Sequence, residues 1–262
     1  MQNDRQEQLI QLLEQHVMLR IQQLCDKLHA SPATIRRDLA HLEEQGYVLR
    51  VNGGAMMNAR ATVGTAERSL EAIGPLDTCK KAIARVAITL VHEGDTIFID
   101  SGSTNNEIAE LLTGLSNISI VTNSVEIAYK FKLLARSRNI SVFVCGGTIK
   151  EFTPEASIVG PLAEQMISQF RANVAFIGTA AIDLQHGVTE PYLLVANIKK
   201  TMIEYSSKVV LTADHSKFGK VNMAHVCHLN NLHHVITDQL TPDSYVDSLS
   251  AVGVQVTRAM LS

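Results

Sequence analysis

The stretch SPATIRRDLAHLEEQGYVLRVNGGA, residues 31–55, is the most informative part of the N-terminal sequence about its structure. Ser31 is a favourable N-cap, Pro32 suits a first helical turn, and Ile35, Leu39 and Leu42 recur at helical spacing. The helix is followed by a short β-like run that ends in paired glycines. The pattern predicts a helix that begins at residue 31 and a β-wing after it.

Two further helices are predicted upstream of this stretch. Apolar residues recur at helical spacing in both, at Leu9, Ile10, Leu13 and Val17 and again at Ile21, Leu24, Cys25 and Leu28. Three helices and a glycine-tipped wing are the plan of a winged helix-turn-helix domain. In that plan the third helix lies in the major groove of DNA.

The third helix carries the candidate DNA contacts. If Ile35 faces inward, a rotation of about 100° per residue turns Ala33 and Arg37 away from the core and puts Arg36 on the flank. Arginine binds guanine bidentately or contacts phosphates, and hydroxyls near a helix N-terminus hydrogen-bond a phosphate. The predicted contacts with double-stranded DNA are Ser31, Ala33, Thr34, Arg36, Arg37, Arg50, Gly53 and Gly54.

Charge alone does not favour DNA binding. Residues 1–60 contain seven Lys or Arg and seven Asp or Glu, and the whole chain of 262 residues has a formal net charge of −3. That balance excludes a uniformly basic coat for nucleic acid. An arginine pair on a helix is most often a solvated face, so the residues alone leave both interpretations open.

The rest of the chain is predicted to be an α/β domain. Residues 56–76 show no period, and from Cys79 onward short β-branched runs alternate with helical patterns. We expect a DNA-binding domain at 1–57, a linker at 58–76 and a mostly parallel α/β domain at 77–262. Strands are predicted at 96–100, 118–122, 140–145, 174–178, 208–212 and 234–237, and helices at 80–91 and near 105–113, 124–135, 160–170 and 195–206.

Polar and glycine-rich loops follow several of these strands. Asp100 ends one strand and leads into SGST at 101–104; VTNS at 121–124 and CGGT at 145–148 follow two others. Ligands of parallel α/β sheets bind beyond the carboxyl ends of the strands. The loop at 101–104 is neither a Walker loop nor a dinucleotide fingerprint, but its N–H groups and hydroxyls suit an anion.

Two lysines and an aspartate complete this candidate site. Lys199 is expected to open a helix in ANIKKTM, and ADHSKFGK places Asp214, Ser216 and Lys217 after another strand. Lysines that face a Ser/Thr-rich loop suit a phosphate, whereas aspartate and asparagine suit sugar hydroxyls.

The sequence at 31–55 resembles the signature of the DeoR family of bacterial sugar-metabolism repressors. The matching residues are Ser31, Thr34, Ile35, Arg36, Arg37, Asp38, Leu39, Leu42, Glu43, Gly46, Arg50, Gly53, Gly54 and Ala55. The chain departs from the pattern at Asn52, where the family more often has His, and Asn52 is expected to bond a phosphate from the wing.

The resemblance continues through the C-terminal part of the chain. DSGST, VTNS, GGT, Gly160-Pro161, FIGTAAID, GVT, ANIKKTM and ADHSKFGK occur in the family's order, so the similarity runs from about Arg5 to about Asp238. It implies a sugar-phosphate-isomerase-like domain that senses a phosphorylated sugar. Carried over by position, the implied effector contacts are Asp100, Ser101, Gly102, Ser103, Thr104, Asn123, Gly146, Gly147, Lys199, Asp214 and Lys217.

No cofactor or metal is predicted. The cysteines at 25, 79, 145 and 227 form no CxxC pair, and the histidines at 225, 228, 233 and 234 lack a thiol or carboxylate partner set. The chain shows neither a signal-peptide core nor an apolar run of about 20 residues, so we expect a cytoplasmic protein without a membrane span.

The sequence is compatible with three functions. The resemblance implies a repressor, acting as a homodimer or homotetramer, that releases operator DNA when a sugar phosphate binds. The alternative is a sugar-phosphate isomerase carrying a DNA-binding module, which needs a carboxylate base such as Asp100, Asp183, Glu190 or Asp214. A dinucleotide-binding redox sensor is disfavoured because the glycine fingerprint is missing.

Overall fold

The computed structural model describes residues 2–14, 19–28, 30–44, 48–51, 53–57, 75–132, 135–149 and 157–261. The chain divides into two compact units, Met1–Ile73 and Gly74–Ser262. Most of the expected linker, residues 58–74, and the wing residue Asn52 lie outside the described residues. The domain limits given above therefore stay predictions.

The described residues of the N-terminal unit form three helices and a small antiparallel sheet. Its elements are α1 (Gln2–Glu14), β1 (Leu19–Arg20), α2 (Ile21–Leu28), α3 (Pro32–Glu44), β2 (Val48–Val51) and β3 (Gly54–Met57). The strand order is β1-β3-β2. One apolar cluster holds the unit together, formed by side chains such as Leu9 and Leu13 of α1, Leu24 of α2, and Ile35 and Leu39 of α3. The apolar periodicity of the sequence thus identifies the side chains that pack inward.

The C-terminal unit is built on a seven-stranded sheet in which every neighbouring pair is parallel. Its strands are β4 (Thr96–Ile99), β5 (Ile118–Thr122), β6 (Ile140–Val144), β9 (Ala172–Ile177), β12 (Ser206–Thr212), β14 (His234–Asp238) and β15 (Gln255–Ala259), in the order β15-β14-β12-β9-β4-β5-β6. The chain first builds outward from β4 to β6, then crosses to the other side of β4. The point where the direction reverses, between β4 and β9, is where open α/β sheets bind ligands.

Helices cover both faces of this sheet. They are α4 (Pro75–Ala87), α5 (Ser103–Leu112), α6 (Val125–Lys130), α7 (Ala135–Arg138), α8 (Pro161–Ile167), α9 (Leu193–Glu204) and α10 (Asp243–Ala251), with short 3-10 turns at Ile88–Leu90, His215–Lys217 and Leu229–Asn231. Alternate residues of one strand enter different cores: Phe98 packs in the cluster that includes α8 and α9, and Ile97 and Ile99 pack in the cluster that includes α4 and α5. Burial on both faces explains the continuous apolar runs of the strands.

Two small antiparallel sheets complete the unit. They comprise β10 (Ala181–Asp183), β11 (Gly187–Glu190) and β13 (Ala224–Cys227), and the pair β7 (Thr148–Ile149) with β8 (Ile158–Val159). The predicted fold class, a winged helix-turn-helix followed by an α/β domain with a mostly parallel sheet, is confirmed. The sequence did not indicate the short strands β1, β7, β8, β10, β11, β13 and β15, because so few residues give no clear alternation, nor the helices α7 and α10. Among the described residues, no helix combines the length and the apolar character needed to span a membrane.

Candidate functional site

Helix α3 presents its arginines on the side opposite to its buried face. Ile35, Leu39 and Leu42 are buried in the core, whereas Arg36 and Arg37 are exposed. Ala33, on the same side of the helix, is also exposed and carries only a small side chain. The face of α3 that carries the arginines is therefore a solvent-accessible surface within its unit.

The start of α3 is fixed by Ser31. Its hydroxyl oxygen accepts a hydrogen bond from the Thr34 backbone N–H at 3.2 Å and lies 2.8 Å from the Thr34 hydroxyl oxygen. The expected N-cap is therefore present. Both hydroxyls lie at the N-terminal end of the helix, where a phosphate is favoured.

The wing places its predicted residues in different surroundings. Arg50 lies in β2 opposite Ala55, and Gly53 is exposed with a φ of +82°. Gly54 is buried, and a Cβ at that position would lie 2.3 Å from the carbonyl oxygen of Leu19. The close approach of β1 thus requires glycine at position 54, independently of any contact with DNA.

A cavity of about 230 Å³ opens at the reversal point of the parallel sheet. Its walls come from the loop after β4, the start of α5, the residues after β9, the end of β11, and α9. The lining residues are Ser101, Gly102, Ser103, Thr104, Asn105, Ser157, Gly178, Thr179, Ala180, Glu190, Pro191, Tyr192, Val195, Lys199, Thr212 and Lys217. The cavity therefore combines a helix N-terminus, several hydroxyls and two lysines.

Lys199 is the centre of a buried ionic cluster in this cavity. Its ammonium donates hydrogen bonds to the carboxylate of Asp100 and to the carbonyl oxygen of Gly178 at 2.8 Å, and it lies 3.2 Å from Glu190 Oε1. The side chain of Lys199 is only 4% exposed. Burial opposes the charge of Lys199, but Asp100 and Glu190 outweigh this effect and raise the pKa of the ammonium.

A second network holds the loop after β4 in place. The Ser101 backbone N–H donates to Asn123 Oδ1 at 2.9 Å, and the hydroxyl oxygens of Ser101 and Ser157 are 2.5 Å apart. Asn105 donates to the carbonyl oxygen of Asp100 at 2.9 Å and accepts from the Thr212 hydroxyl at 2.9 Å. The network fixes the N-terminal end of α5 before any ligand arrives.

The structure brings together some of the predicted effector residues and separates others from the cavity. Ser101, Gly102, Ser103, Thr104, Lys199 and Lys217 line it. Asp100 and Asn123 are completely buried and act on lining residues, as Asp100 does on Lys199 and Asn123 on Ser101. Asp100 and Asn123 therefore orient the cavity residues Lys199 and Ser101 and do not line the cavity themselves.

The remaining predicted residues are not among those that line the cavity. Asp214 is buried, and its carboxylate accepts the Ser216 backbone N–H at 2.9 Å, which caps the turn His215–Lys217. Gly146 and Gly147 are exposed, and a Cβ on Gly147 would lie 2.8 Å from the carbonyl oxygen of Val159. Asp214 therefore has a structural role as a cap, and the close approach of Val159 requires glycine at position 147. Effector contacts by these residues stay predictions.

Several residues that line the cavity are not among the predicted effector contacts. Glu190 is the most important, because its carboxylate touches both Lys199 and, at 3.0 Å, the backbone N–H of Ala180. It was considered only as a possible base, since nothing local marks the end of β11 as part of a cavity. Asn105 and Thr212 were missed for the same reason.

Family comparisons match both units of the chain. The DeoR-like helix-turn-helix domain matches residues 5–61, and the DeoR C terminal sensor domain matches residues 77–239. The second match alone covers more than half of the chain.

Relatives are similar over nearly their whole length. The transcriptional repressor AccR of Agrobacterium fabrum is 33% identical over 91% of this chain and 90% of its own. The HTH-type transcriptional repressor GlcR of Bacillus subtilis is 30% identical over 97% of this chain and 95% of its own.

Among solved structures, ribose 5-phosphate isomerase A of Methanocaldococcus jannaschii matches 55% of each chain, with 17% identity and a TM-score of 0.39. A similarity of this size carries no argument about ligand or activity.

Proposed function

The chain belongs to the DeoR family of DNA-binding transcriptional regulators, and on that premise we propose that it represses a carbohydrate-utilisation operon until a phosphorylated sugar binds its sensor domain. The observation that carries the proposal is the exposed arginine pair of α3, held outward by the buried face of the same helix. Relatives named as transcriptional repressors support the direction of control.

Recognition of operator DNA rests on α3 in this proposal. Arg36 and Arg37 enter the major groove, and the hydroxyls of Ser31 and Thr34 contact a phosphate at the N-terminal end of the helix. Arg50, Asn52 and Gly53 of the wing contact the flanking backbone. A homodimer or homotetramer pairs two α3 helices on half-sites about one turn of DNA apart.

The sensor cavity supplies complementary groups for a phosphorylated sugar. Lys217, the hydroxyls of Ser103 and Thr104 and the N-terminal end of α5 suit the phosphate. Glu190, which faces the same cavity, can accept hydrogen bonds from sugar hydroxyls. The ligand acts because it binds one arrangement of the oligomer more tightly than the other. We place this function in the cytoplasm, where operator DNA and phosphorylated metabolites meet.

The test is a two-step binding experiment with the full chain. DNA fragments from the vicinity of its own gene are screened for specific binding in competition with bulk DNA, and the bound fragment is then challenged with pentose and hexose phosphates. We expect one fragment to be preferred and one sugar phosphate to release it, whereas the unphosphorylated sugar does not. Binding without any preference among fragments contradicts repression, and release by none of the sugar phosphates contradicts the effector class.

A second candidate function comes from Glu190. A carboxylate beside a buried lysine in a cavity is also the equipment of aldose–ketose isomerisation. Turnover of a pentose or hexose phosphate that is lost in Glu190→Gln would favour the enzyme. We expect no turnover, because regulation requires only binding.

A further inference from the structure

Three potential metal ligands converge at one end of the sheet, outside the sensor cavity. Cys79 lies near the start of α4, His215 opens the turn after β12, and Asp238 is the last residue of β14. One ligand atom from each lies within 4.8 Å of the other two. The three residues are far apart in the sequence, so ligand spacing cannot reveal the cluster.

The carboxylate of Asp238 is held in place by the backbone. Its Oδ2 accepts the N–H of His215 at 2.7 Å, and its Oδ1 accepts the N–H of Leu240 at 2.9 Å. His215 Nδ1 lies 3.0 Å from each of the two oxygens. A cation can therefore replace the side-chain protons between these groups, while the backbone hydrogen bonds keep the carboxylate oriented.

The donor set and its burial fit a borderline-soft divalent cation. A thiol, an imidazole and a carboxylate are the three kinds of ligand that zinc takes in proteins. Cys79 and Asp238 are completely buried, whereas the side chain of His215 is 31% exposed, so the cluster is open to solvent on one side. Burial and the nearby Asp238 raise the pKa of the Cys79 thiol, so metal binding would have to displace a proton.

We propose that Cys79, His215 and Asp238 form a zinc-binding site with three protein ligands and a fourth position open to water. The site stands independently of the proposed repressor function. It has a consequence for the sensor domain, because His215 shares its short turn with Lys217. Bound zinc would link two elements: the turn His215–Lys217, which carries the cavity residue Lys217, and the start of α4.

Cobalt spectroscopy on the full chain tests the site. The reduced protein is stripped with a chelator and titrated with Co²⁺, whose thiolate charge-transfer band and strong visible bands report a tetrahedral site with sulfur. We expect one Co²⁺ per chain and complete displacement by one equivalent of Zn²⁺. Absence of the charge-transfer band in the unaltered protein overturns the proposal.

Variants assign the ligands. Cys79→Ser should abolish the charge-transfer band, and His215→Gln should weaken zinc binding at least about 100-fold, since even outer-shell changes cost 10–100-fold. Cys227→Ser and His92→Gln remove the same groups elsewhere and should leave both readouts unchanged. His215 is partly exposed, so its variant is expected to fold even if Cys79→Ser does not. The site is contradicted if His215→Gln binds zinc with unchanged affinity. It is also contradicted if the charge-transfer band is lost in Cys227→Ser but kept in Cys79→Ser.

Discussion

The two units of the molecule differ in where they place the cationic side chains of their candidate sites: on the surface in the N-terminal unit and in the interior in the sensor unit. In the N-terminal unit Arg36 and Arg37 are exposed, and the buried Asp38 on the same helix is paired with Arg5 at 2.6 Å. In the sensor unit Lys199 is buried and held by two carboxylates. DNA is a large polyanion that binds an exposed surface, whereas the proposed small effector would bind inside a cavity. The buried charge of Lys199 is therefore expected to contribute to the stability of the folded sensor unit even when no ligand is bound.

The largest effect is expected when the buried ammonium group of Lys199 is removed by substitution. Lys199→Met keeps an unbranched side chain that is one atom shorter, but it leaves Asp100 and Glu190 without their cation. Breaking a buried ion pair in this way costs about 3–5 kcal/mol, so we expect the free energy of unfolding of the sensor unit to fall by that amount. Denaturant unfolding followed by circular dichroism measures it.

The adjacent lysine is the matched control. Lys200 is exposed, so Lys200→Met should change the free energy of unfolding by no more than about 0.5 kcal/mol. If the two variants are equally stable, the cluster around Lys199 contributes nothing to the fold and the contrast between the units fails.

The same contrast explains what sequence analysis could predict. The buried face of α3 can be predicted from apolar residues three and four positions apart. Arg36 and Arg37 do not belong to that face, so they are predicted to be exposed. The carboxyl-end loops follow from parallel strands, since such ends meet at one edge. By contrast, Lys199 meets Asp100 across 99 residues and Glu190 through an antiparallel sheet that the sequence did not indicate. Long-range pairing of this kind depends on the strand order, which no local pattern contains.

A lysine that lines the cavity without belonging to the buried cluster is expected to behave differently. Lys217 is partly exposed in the cavity, so Lys217→Ala should leave operator affinity unchanged. It should weaken effector binding by about 1.5–3 kcal/mol, the contribution of a hydrogen bond to a charged group. Titration calorimetry with the sugar phosphate that releases the operator measures this loss.

Lys220 provides the comparison for Lys217. It is exposed and is not among the residues that line the cavity, so Lys220→Ala should bind effector normally. Equal effector affinity in both variants would remove Lys217 from the proposed phosphate contact. An equal loss of effector affinity in both variants would indicate that the net charge of the protein, and not a contact from Lys217, governs effector binding.

On the surface of α3 the expected loss concerns DNA and not stability. Arg37→Ala removes one exposed guanidinium, and a bidentate contact with a base is worth about 1–3 kcal/mol of discrimination. We therefore expect weaker operator binding in fluorescence anisotropy and an unchanged unfolding transition. Arg171→Ala removes the same charge from the sensor unit and should retain operator affinity; a loss as large as that of Arg37→Ala would indicate that net charge alone governs binding.

The smallest effect concerns a buried histidine whose charged form is disfavoured by its surroundings. His234 is buried at the start of β14, and its Nε2 lies 2.8 Å from the Thr257 hydroxyl oxygen. Burial, with a further contribution from Lys208, lowers the pKa of His234 in the folded state.

The unfolded chain therefore binds a proton at His234 more readily than the folded chain does. The contribution of neutral His234 to the free energy of unfolding is complete above the unfolded pKa of about 6.5, and it declines as the pH falls toward the folded pKa. Unfolding measured from about pH 7.5 to about pH 5.5 should show a shallower loss of stability in His234→Gln than in the unaltered chain. Identical slopes in the two proteins would mean that burial does not penalise the charged imidazole of His234, and the expected contribution of this residue would be wrong.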